Sequence, residues 1–184
     1  RMAWQDYSKD YAHPTTQGPD FIARMIGYYF DQAAATAPTP YAMPETPLIG
    51  NNFETLENIR PGSDLIKQEG CLQADVTPCY SYLKGWKNTV YTKKDPMVLE
   101  VTGGPLFIVF KQENNANCGS VEVWVDGTLK KTLNGYSTSA WGNPVTEIIG
   151  IGDVTKTHTI ELRMVEGDHN KNFSLLDLAY VPAK

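Results

Sequence analysis

The sequence predicts a mostly β protein, an antiparallel β-sandwich of the jelly-roll type that follows a loop and one amphipathic helix. Short runs rich in β-branched and aromatic residues recur from residue 97 onward. Gly, Asn, Asp and Pro separate these runs, and no helical pattern lies between them. The runs cover residues 97–102, 105–111, 120–133, 144–150, 158–165 and 173–181. A chain of 184 residues can bury a substantial core.

One amphipathic helix is predicted over residues 17–35. Gly18 and Pro19 suit its start, because proline is tolerated in the first turn of a helix. Apolar residues recur at helical spacing at Ile22, Met25, Ile26, Tyr29 and Ala33, and Phe21, Tyr28 and Phe30 widen the stripe. Too little chain precedes the helix to cover this stripe. We therefore expect it to pack on another chain, another fragment or the following domain.

A proline-rich linker follows the helix. Pro38, Pro40, Pro44 and Pro47 each lack a backbone donor and have a fixed φ, which favours an extended segment. We place the domain boundary there. The predicted organisation is residues 1–36 as the first part, 37–48 as the linker and 49–184 as the sandwich.

The clearest local signal in the sandwich is a β-hairpin centred on Asp126-Gly127. Val121, Val123 and Val125 alternate with polar or outward residues before it, which is the two-residue period of a half-buried strand. Asp-Gly is a preferred pair for the type I′ turn that joins two antiparallel strands. The hairpin in turn favours an all-antiparallel sandwich.

Charge, hydropathy and cysteine usage exclude several classes of partner. A net charge of −5 gives no electrostatic reason to bind nucleic acid or an anionic membrane, and no apolar run reaches the length of a membrane span. Cys71, Cys79 and Cys118 fit no zinc pattern, so no metal site is expected. Cys71 and Cys79 can close a small disulfide loop in an oxidising compartment, but we favour free thiols.

Asp10 and His13 are the candidate catalytic residues. An Asp three residues before a His can hold the imidazole in one tautomer, and the His can then act as a general base. The surrounding pattern, D-x-x-H-P followed by Gly18 and the helix, resembles the last conserved block of the SGNH (GDSL-like) hydrolases. This resemblance implies that residues 1–36 are the C-terminal loop and helix of a three-layer α/β domain. It assigns Asp10 as the orienting carboxylate and His13 as the base.

The nucleophile of that family does not occur in this sequence. The family's Ser lies in a G-D-S motif upstream of the His, whereas the nearest string here, Gly62-Ser63-Asp64, has the wrong order and follows His13. We interpret this string as a turn or a helix cap. The resemblance therefore implies a missing N-terminal part that carries the Ser, either in the same parent protein or as a companion chain. Any export signal would also lie there, so localisation stays unknown, and we favour a soluble protein of the bacterial cytoplasm.

The second part resembles the carbohydrate-binding-module-like β-sandwich attached to SGNH hydrolases that deacetylate plant polysaccharides. The similarity lies in "CGSVEVWVDG", "GYSTSAWGNPVTEI" and "HTIELRMVEGD". It implies a serine-dependent acetylesterase acting on acetylated carbohydrate without a cofactor, in which this chain alone is inactive. The alternative is a non-catalytic carbohydrate-binding or structural module.

Aromatic residues in loops are the candidates for sugar stacking, because flat sugar faces pack on exposed rings. Trp141 lies among small and turn-forming residues, with Tyr136 before it and Asn143 after it. Trp86 is placed in a loop for the same reason, and Glu113 begins a polar loop after a buried run. A structural role remains open for each. Trp124 is expected to cover an outer sheet face, and His158 to be a satisfied structural residue on a buried strand face.

Overall fold

A computed structural model describes residues 3–10, 13–38, 40, 42–46, 53–76, 82, 84–88, 91 and 93–183. The chain divides into two compact units, Arg1–Ile49 and Gly50–Lys184, called unit 1 and unit 2 below. Cys79 and the predicted linker residue Pro47 lie outside the described residues.

Unit 1 contains a short helix α1, Trp4–Tyr7, and a long helix α2, Gly18–Ala35. Helix α2 confirms the helix predicted over residues 17–35. Pro19 occupies its first turn together with Asp20, whose carboxylate pairs with Arg24 Nε at 2.8 Å. A negative charge at a helix N-terminus interacts favourably with the helix dipole. Within the part of the chain that the structure describes, no helix is both long enough and apolar enough to span a bilayer.

The apolar stripe of α2 is exposed. Gly18 is the only buried residue of this helix, and the exposed fraction of the stripe rises from 38% at Ile22 to 70% at Phe30. Tyr7 of α1 contacts the Phe21 ring edge-on at 6.0 Å between ring centroids. Apart from this contact near the start of α2, the apolar stripe is exposed, as expected of a helix that normally packs against another element.

The described residues of unit 2 form ten strands and confirm the predicted antiparallel β-sandwich. The strands are β1 Glu57–Ile59, β2 Ile66–Gln68, β3 Gln73–Asp75, β4 Gly85–Lys87, β5 Met97–Glu113, β6 Ser120–Val125, β7 Thr128–Asn134, β8 Trp141–Ile149, β9 Thr157–Met164 and β10 Ser174–Pro182. One layer contains β3, β4, β1, β10, the second half of β5, and β8. The other contains β2, the first half of β5, β9, β6 and β7. All these strand pairs are antiparallel.

Strand β5 runs through both layers, which corrects the prediction of two separate strands at 97–102 and 105–111. Its first half pairs with β9 from Met97 to Thr102, and its second half pairs with β10 and β8. Gly103 and Gly104 lie between the halves with φ of 139° and 147°. Glycine adopts such values without the steric cost of a Cβ, so the strand changes sheet instead of ending.

The predicted hairpin is confirmed. Asp126 and Gly127 have φ of 48° and 74°, and Val125 pairs with Thr128 across the turn. Positive φ at both central residues is the type I′ geometry, whose twist matches that of the flanking strands. The turn separates β6 from β7 within the predicted run 120–133.

The core lies between the two layers and is made by alternating residues of the strands. Val121 and Val123 of β6 and Ile160 and Leu162 of β9 are all fully buried, as the two-residue period predicts. The opposite layer contributes the buried Leu106, Ile108, Phe110, Leu175 and Leu178 to the same cluster. The outward residues of β6 and β9, in contrast, form a polar face that is described below.

Candidate functional site

The side chains of Asp10 and His13 lie within hydrogen-bond distance, as the expected orienting role of Asp10 requires. The Nδ1 atom of His13 lies 2.8 Å from Oδ2 of Asp10, and the backbone N–H of His13 donates to Asp10 Oδ1 at 2.7 Å. The carboxylate therefore holds both the ring and the backbone of the histidine. Both side chains are accessible, with exposed fractions of 77% for His13 and 54% for Asp10.

The loop that carries this pair is closed by backbone and hydroxyl contacts. Ser8 and Pro14 form an antiparallel bridge, and the N–H of Lys9 donates to the carbonyl of His13 at 2.9 Å. The Ser8 hydroxyl donates to the same carbonyl at 2.9 Å and also contacts the carbonyl of Asp10. The Thr15 N–H donates to Tyr7 at 2.9 Å, which ties the loop to α1. The histidine thus projects from a short, closed loop.

Gly18 is required by close packing at the end of this loop. A Cβ at this position would lie 2.5 Å from the carbonyl oxygen of Tyr7 and 2.6 Å from Cβ of Pro14. Both distances are shorter than real contacts of a Cβ atom. The glycine of the D-x-x-H-P…G pattern therefore lets the helix begin directly against the loop that holds His13.

This arrangement is suited to general acid–base chemistry. When the Asp10 carboxylate accepts a hydrogen bond from Nδ1–H, the ring is held in the tautomer whose Nε2 has a lone pair. Nε2 faces away from Asp10 and can take a proton from a nucleophile. Ser8, the single serine between residues 1 and 49, is buried and donates its hydroxyl to backbone carbonyls. It stabilises the loop, and unit 1 contains no other serine that can act with His13.

The Gly62-Ser63-Asp64 string belongs to a turn, as the sequence interpretation predicts. The Ser63 N–H donates to the carbonyl of Arg60 at 2.9 Å, and the Ser63 hydroxyl accepts from the N–H of Leu65 at 3.3 Å. Gly62 has a φ of 87°. These are contacts of a serine turn that leads into β2.

Four of the predicted sugar-binding residues lie at one end of the sandwich: Glu113, Tyr136, Trp141 and Asn143. Glu113 at the end of β5 pairs with Trp141 of β8 on one side and bridges Tyr136 on the other. Its carboxylate lies 2.9 Å from Lys111 Nζ. Asn143 accepts the N–H of Trp141 at 3.1 Å, and the Trp141 side chain is 87% exposed. A stacking role for this residue stays a prediction, and its exposure is compatible with one.

Trp86 does not lie in an exposed loop, and this prediction is wrong. It is 1% exposed, within the short strand β4, where it pairs with Ala74 of β3 and Leu175 of β10. Its ring is part of the core and cannot stack on a sugar. Within the described part of the chain its indole Nε1 has no hydrogen-bond partner. The sequence lacks a signal for this strand, because three residues are too few for a hydrophobic period.

His158 is a structural residue, as expected. It is 6% exposed on β9, with Nδ1 2.6 Å from Asp126 Oδ2 and Nε2 2.8 Å from the carbonyl oxygen of Asp153. Because both neighbours are acceptors, the protonated ring fits this position best. The Asp126 carboxylate, followed by the Asp153 carbonyl, raises the pKa of His158 above its ordinary value. Hydrogen bonds from His158 and from the Thr159 N–H lower the pKa of Asp126.

The outward residues of β6 and β9 form a polar cluster that the sequence interpretation treated only through Trp124. The Arg163 guanidinium lies 4.7 Å from the centre of the Trp124 ring and donates from Nη2 to Glu161 Oε2 at 2.6 Å. The indole N–H of Trp124 donates to Glu122 Oε2 at 2.9 Å. Trp124 is half-buried and covers the outer sheet face, as expected. The sequence contains a signal for this cluster, because Glu122 and Trp124 alternate with the valines of β6 and therefore lie on the face opposite them.

Metal ligation finds no support in the described ranges, where no group of three or more His, Cys, Asp or Glu residues is arranged to hold an ion. Cys71 and Cys118 are free thiols. Burial raises the pKa of both thiols. Neither is therefore activated as a nucleophile.

The whole chain is similar in structure to a two-domain esterase (CEX) active on acetylated mannans, with a TM-score of 0.74 and 22% sequence identity. The similarity covers 100% of this chain and 52% of that one. A second crystal structure, of a two-domain esterase (CEX) co-crystallized with mannopentaose, gives a TM-score of 0.72 and 21% identity over 100% of this chain and 51% of that one.

A family two carbohydrate esterase from Cellvibrio japonicus is matched less well, with a TM-score of 0.46 and 12% identity over 70% of this chain and 34% of that one. No protein-family model matches the sequence, and no curated protein matches it. The chain spans about half the length of the two-domain mannan esterase. Over that length it has the same fold.

Proposed function

We propose that this chain is the histidine-bearing part of a serine-dependent carbohydrate acetylesterase of the SGNH type. The observation that carries the proposal is the Asp10–His13 pair. The carboxylate lies 2.8 Å from Nδ1 and 2.7 Å from the backbone nitrogen of the same histidine. An Asp–His pair oriented in this way provides two of the three side chains of a catalytic triad. The Ser nucleophile is supplied by a segment outside these 184 residues.

In the proposed reaction, the Ser hydroxyl attacks the acetyl carbonyl of the sugar ester while Nε2 of His13 takes its proton. The imidazolium then donates that proton to the departing sugar hydroxyl, which leaves an acetyl-Ser intermediate. His13 next deprotonates a water molecule that attacks the acetyl carbon, and the imidazolium then returns the proton to the Ser oxygen as acetate leaves. Throughout, Asp10 holds the ring in orientation and stabilises the imidazolium. The chemistry needs no metal or organic cofactor.

Two further observations support an additional segment that completes unit 1. The apolar stripe of α2 is exposed along its length, and such a stripe is stable in water only when it packs against another element. The similar two-domain esterase is about twice as long as this chain, since the chain covers 52% of it. A single missing α/β segment would cover the stripe and carry the Ser.

Acetylated polysaccharide is the proposed substrate class. The similar esterase acts on acetylated mannans, and one crystal structure of such an esterase was obtained with mannopentaose. In this chain, Glu113, Tyr136 and the exposed Trp141 meet at one end of unit 2 and offer a ring and polar groups for sugar binding. We propose that these three residues contact the polysaccharide.

The test is acetate release from acetylated mannan by the parent protein, with and without a substitution of His13. His13→Ala should lower kcat by at least about 10³-fold, because the base then no longer takes the Ser proton. Lys9→Ala is the matched control, since Lys9 is exposed in the same loop and contacts His13 through its backbone only. Equal activity of the His13→Ala variant and the parent would contradict the proposal.

A non-catalytic carbohydrate-binding module is the second candidate function. The observations in its favour are that unit 2 has its own buried core and that the 184 residues contain no G-D-S motif. A parent protein without a G-D-S segment, together with sugar binding by the 184-residue chain, would favour this function over the esterase.

A further inference from the structure

We propose that Ser8 is a positioning residue for the Asp10–His13 pair, because its buried hydroxyl binds the backbone carbonyls of both members of the pair. Ser8 acts on the pair through the backbone and not as a nucleophile. The proposal rests on the esterase function proposed above, since it concerns the same loop. Its first test, however, does not need esterase activity.

Ser8 is buried in a part of the chain that is otherwise largely exposed. Its exposed fraction is 8%, and among the described residues of unit 1 only Ser8 and Gly18 are buried. The two residues lie on either side of His13 in the sequence, at the loop that carries it. Burying a hydroxyl costs free energy unless it is hydrogen-bonded, so a buried serine here indicates that its hydrogen bonds hold this loop.

The Ser8 hydroxyl joins the two ends of the Asp10–His13 segment. It donates to the carbonyl of His13 at 2.9 Å and also contacts the carbonyl of Asp10. A hydroxyl has one proton, so the two carbonyls share it in a three-centre bond. Because both carbonyls point at one oxygen atom, the backbone orientations of Asp10 and His13 are fixed relative to each other.

The backbone of His13 is held on both sides of its side chain. Its N–H donates to Asp10 Oδ1 at 2.7 Å, and its carbonyl accepts from the Ser8 hydroxyl and from the N–H of Lys9, each at 2.9 Å. With both peptide groups fixed, only the side-chain torsions remain to be set. The carboxylate of Asp10 sets them through its 2.8 Å contact with Nδ1.

The exposure of the pair makes this backbone support necessary. The side chains of His13 and Asp10 are 77% and 54% exposed, so burial does not restrict their rotamers. An exposed contact between a carboxylate and an imidazole is weak by itself, because water screens it and both side chains lose rotamer freedom. Ser8 lowers this entropic cost by fixing the backbone from which both side chains project. Removal of its hydroxyl should therefore increase the fraction of molecules in which Asp10 does not orient the ring.

The first test is the tautomer of the neutral His13 ring in the 184-residue chain, measured from its nitrogen NMR shifts. In the unsubstituted chain, the Asp10 carboxylate should favour the Nδ1–H tautomer. Ser8→Ala should lower the ratio of the Nδ1–H to the Nε2–H tautomer about three- to tenfold, as expected for the loss of one hydrogen bond. Thr36→Ala is the matched control, because the Thr36 hydroxyl donates to the carbonyl of Gln32 at 2.8 Å at the far end of α2. It should leave the ratio unchanged.

A second variant separates the hydrogen bond from the packing of Ser8. Ser8→Cys keeps a side chain of similar size at the buried position but replaces the hydroxyl by a thiol, which is a weak donor. It should change the tautomer ratio in the same direction as Ser8→Ala. Amide resonances of α2 that match those of the unsubstituted chain show that unit 1 keeps its fold in each variant. An unchanged tautomer ratio in either folded variant would overturn the proposal.

The second test is the kinetics of the parent protein with acetylated mannan. Ser8→Ala should lower kcat about 10- to 100-fold with KM unchanged, because a misplaced base slows the reaction without affecting substrate binding. Thr36→Ala should change neither constant. A higher KM at unchanged kcat in Ser8→Ala would contradict the positioning role.

The two proposals fail in different ways. Full activity of His13→Ala would reject the esterase function, whereas a lower tautomer ratio in Ser8→Ala would still support the role of Ser8 in orienting the pair. An inactive His13→Ala variant, together with a Ser8→Ala variant whose kcat and tautomer ratio are unchanged, would reject the role of Ser8 and leave the esterase function supported.

Discussion

Replacing Asp126 by Asn should make the stability of unit 2 less dependent on pH. Asp126 Oδ2 lies 2.6 Å from Nδ1 of His158, and Oδ1 accepts the N–H of Thr159 at 2.9 Å. Asn is well suited to the type I′ turn at this position, where φ is 48°, and its carbonyl can still accept from Thr159. The substitution therefore removes the negative charge beside His158 and leaves the turn intact.

The size of the effect follows from the contact and its exposure. A hydrogen bond to a charged group contributes about 1.5–3 kcal/mol. His158 is buried, but the Asp126 side chain is 52% exposed, so water screens the pair and the lower part of this range applies. We expect a loss of about 1–2 kcal/mol near pH 6, which corresponds to a decrease in Tm of about 4–8 °C for a unit of this size.

The difference between the variant and the parent should depend on pH in a defined direction. Asp126 raises the pKa of His158 above its ordinary value of 6.5, so the protonated ring stabilises the folded state fully below that pH. This contribution is lost as the pH rises through the higher pKa of the folded state. Asp126 itself has a lowered pKa, so its contribution is present above pH 3.8 and is lost below the folded value. The pair therefore stabilises most between about pH 4 and 6.5.

Urea unfolding at pH 6 and pH 9, followed by tryptophan fluorescence, measures this dependence, since Trp86 lies in the core of unit 2. Asp153→Asn is the matched control, because Asp153 contacts His158 through its backbone carbonyl. The control should keep most of the pH dependence of the parent. An Asp126→Asn variant that is destabilised equally at both pH values would refute the assigned role of the pair.

Three further predictions concern the loop, the core and the sandwich end. Gly18→Ala should strongly reduce the proposed esterase activity of the parent and leave the urea midpoint of unit 2 unchanged, because its Cβ would overlap the Tyr7 carbonyl behind the His13 loop. Leu162→Ala should cost about 2–5 kcal/mol of unfolding free energy, since Leu162 is fully buried; a urea midpoint like that of the parent would contradict this. Trp141→Ala should raise KM for acetylated mannan several-fold without changing Tm if the exposed ring contacts substrate as proposed, and an unchanged KM would exclude that contact.

The local sequence pattern predicts structure correctly where a hydrophobic period continues over many residues or where a turn has a distinctive residue pair. Helix α2 has several apolar residues at helical spacing and a proline in its first turn, so its bounds are predicted within one residue. The β6–β7 hairpin follows from alternating valines and Asp126-Gly127. In both cases the signal lies within the segment itself.

Pattern failed where neighbouring strands decided the structure. In the sequence, Gly103-Gly104 indicates the end of a strand. In the structure, hydrogen bonds to β9 before this pair and to β10 after it keep β5 continuous. Trp86 looks like a loop residue, yet pairing with β3 and β10 places it in the core. A three-residue strand has too few residues to show a period, so only its partners define it.

The sequence by itself determined the helix, the hairpin and the closeness of Asp10 to His13, because each depends on residues near each other in the chain. It predicted the antiparallel sandwich as a fold class, from the recurring short β-rich runs. The tertiary structure alone decided that Glu113, Tyr136 and Trp141 meet at one end of the sandwich. It also decided that the outward residues of β6 and β9, among them Trp124 and Arg163, form one polar cluster. These clusters join residues far apart in sequence, and their proximity depends on strand order and register, which arise only when the two sheets pack around a common core.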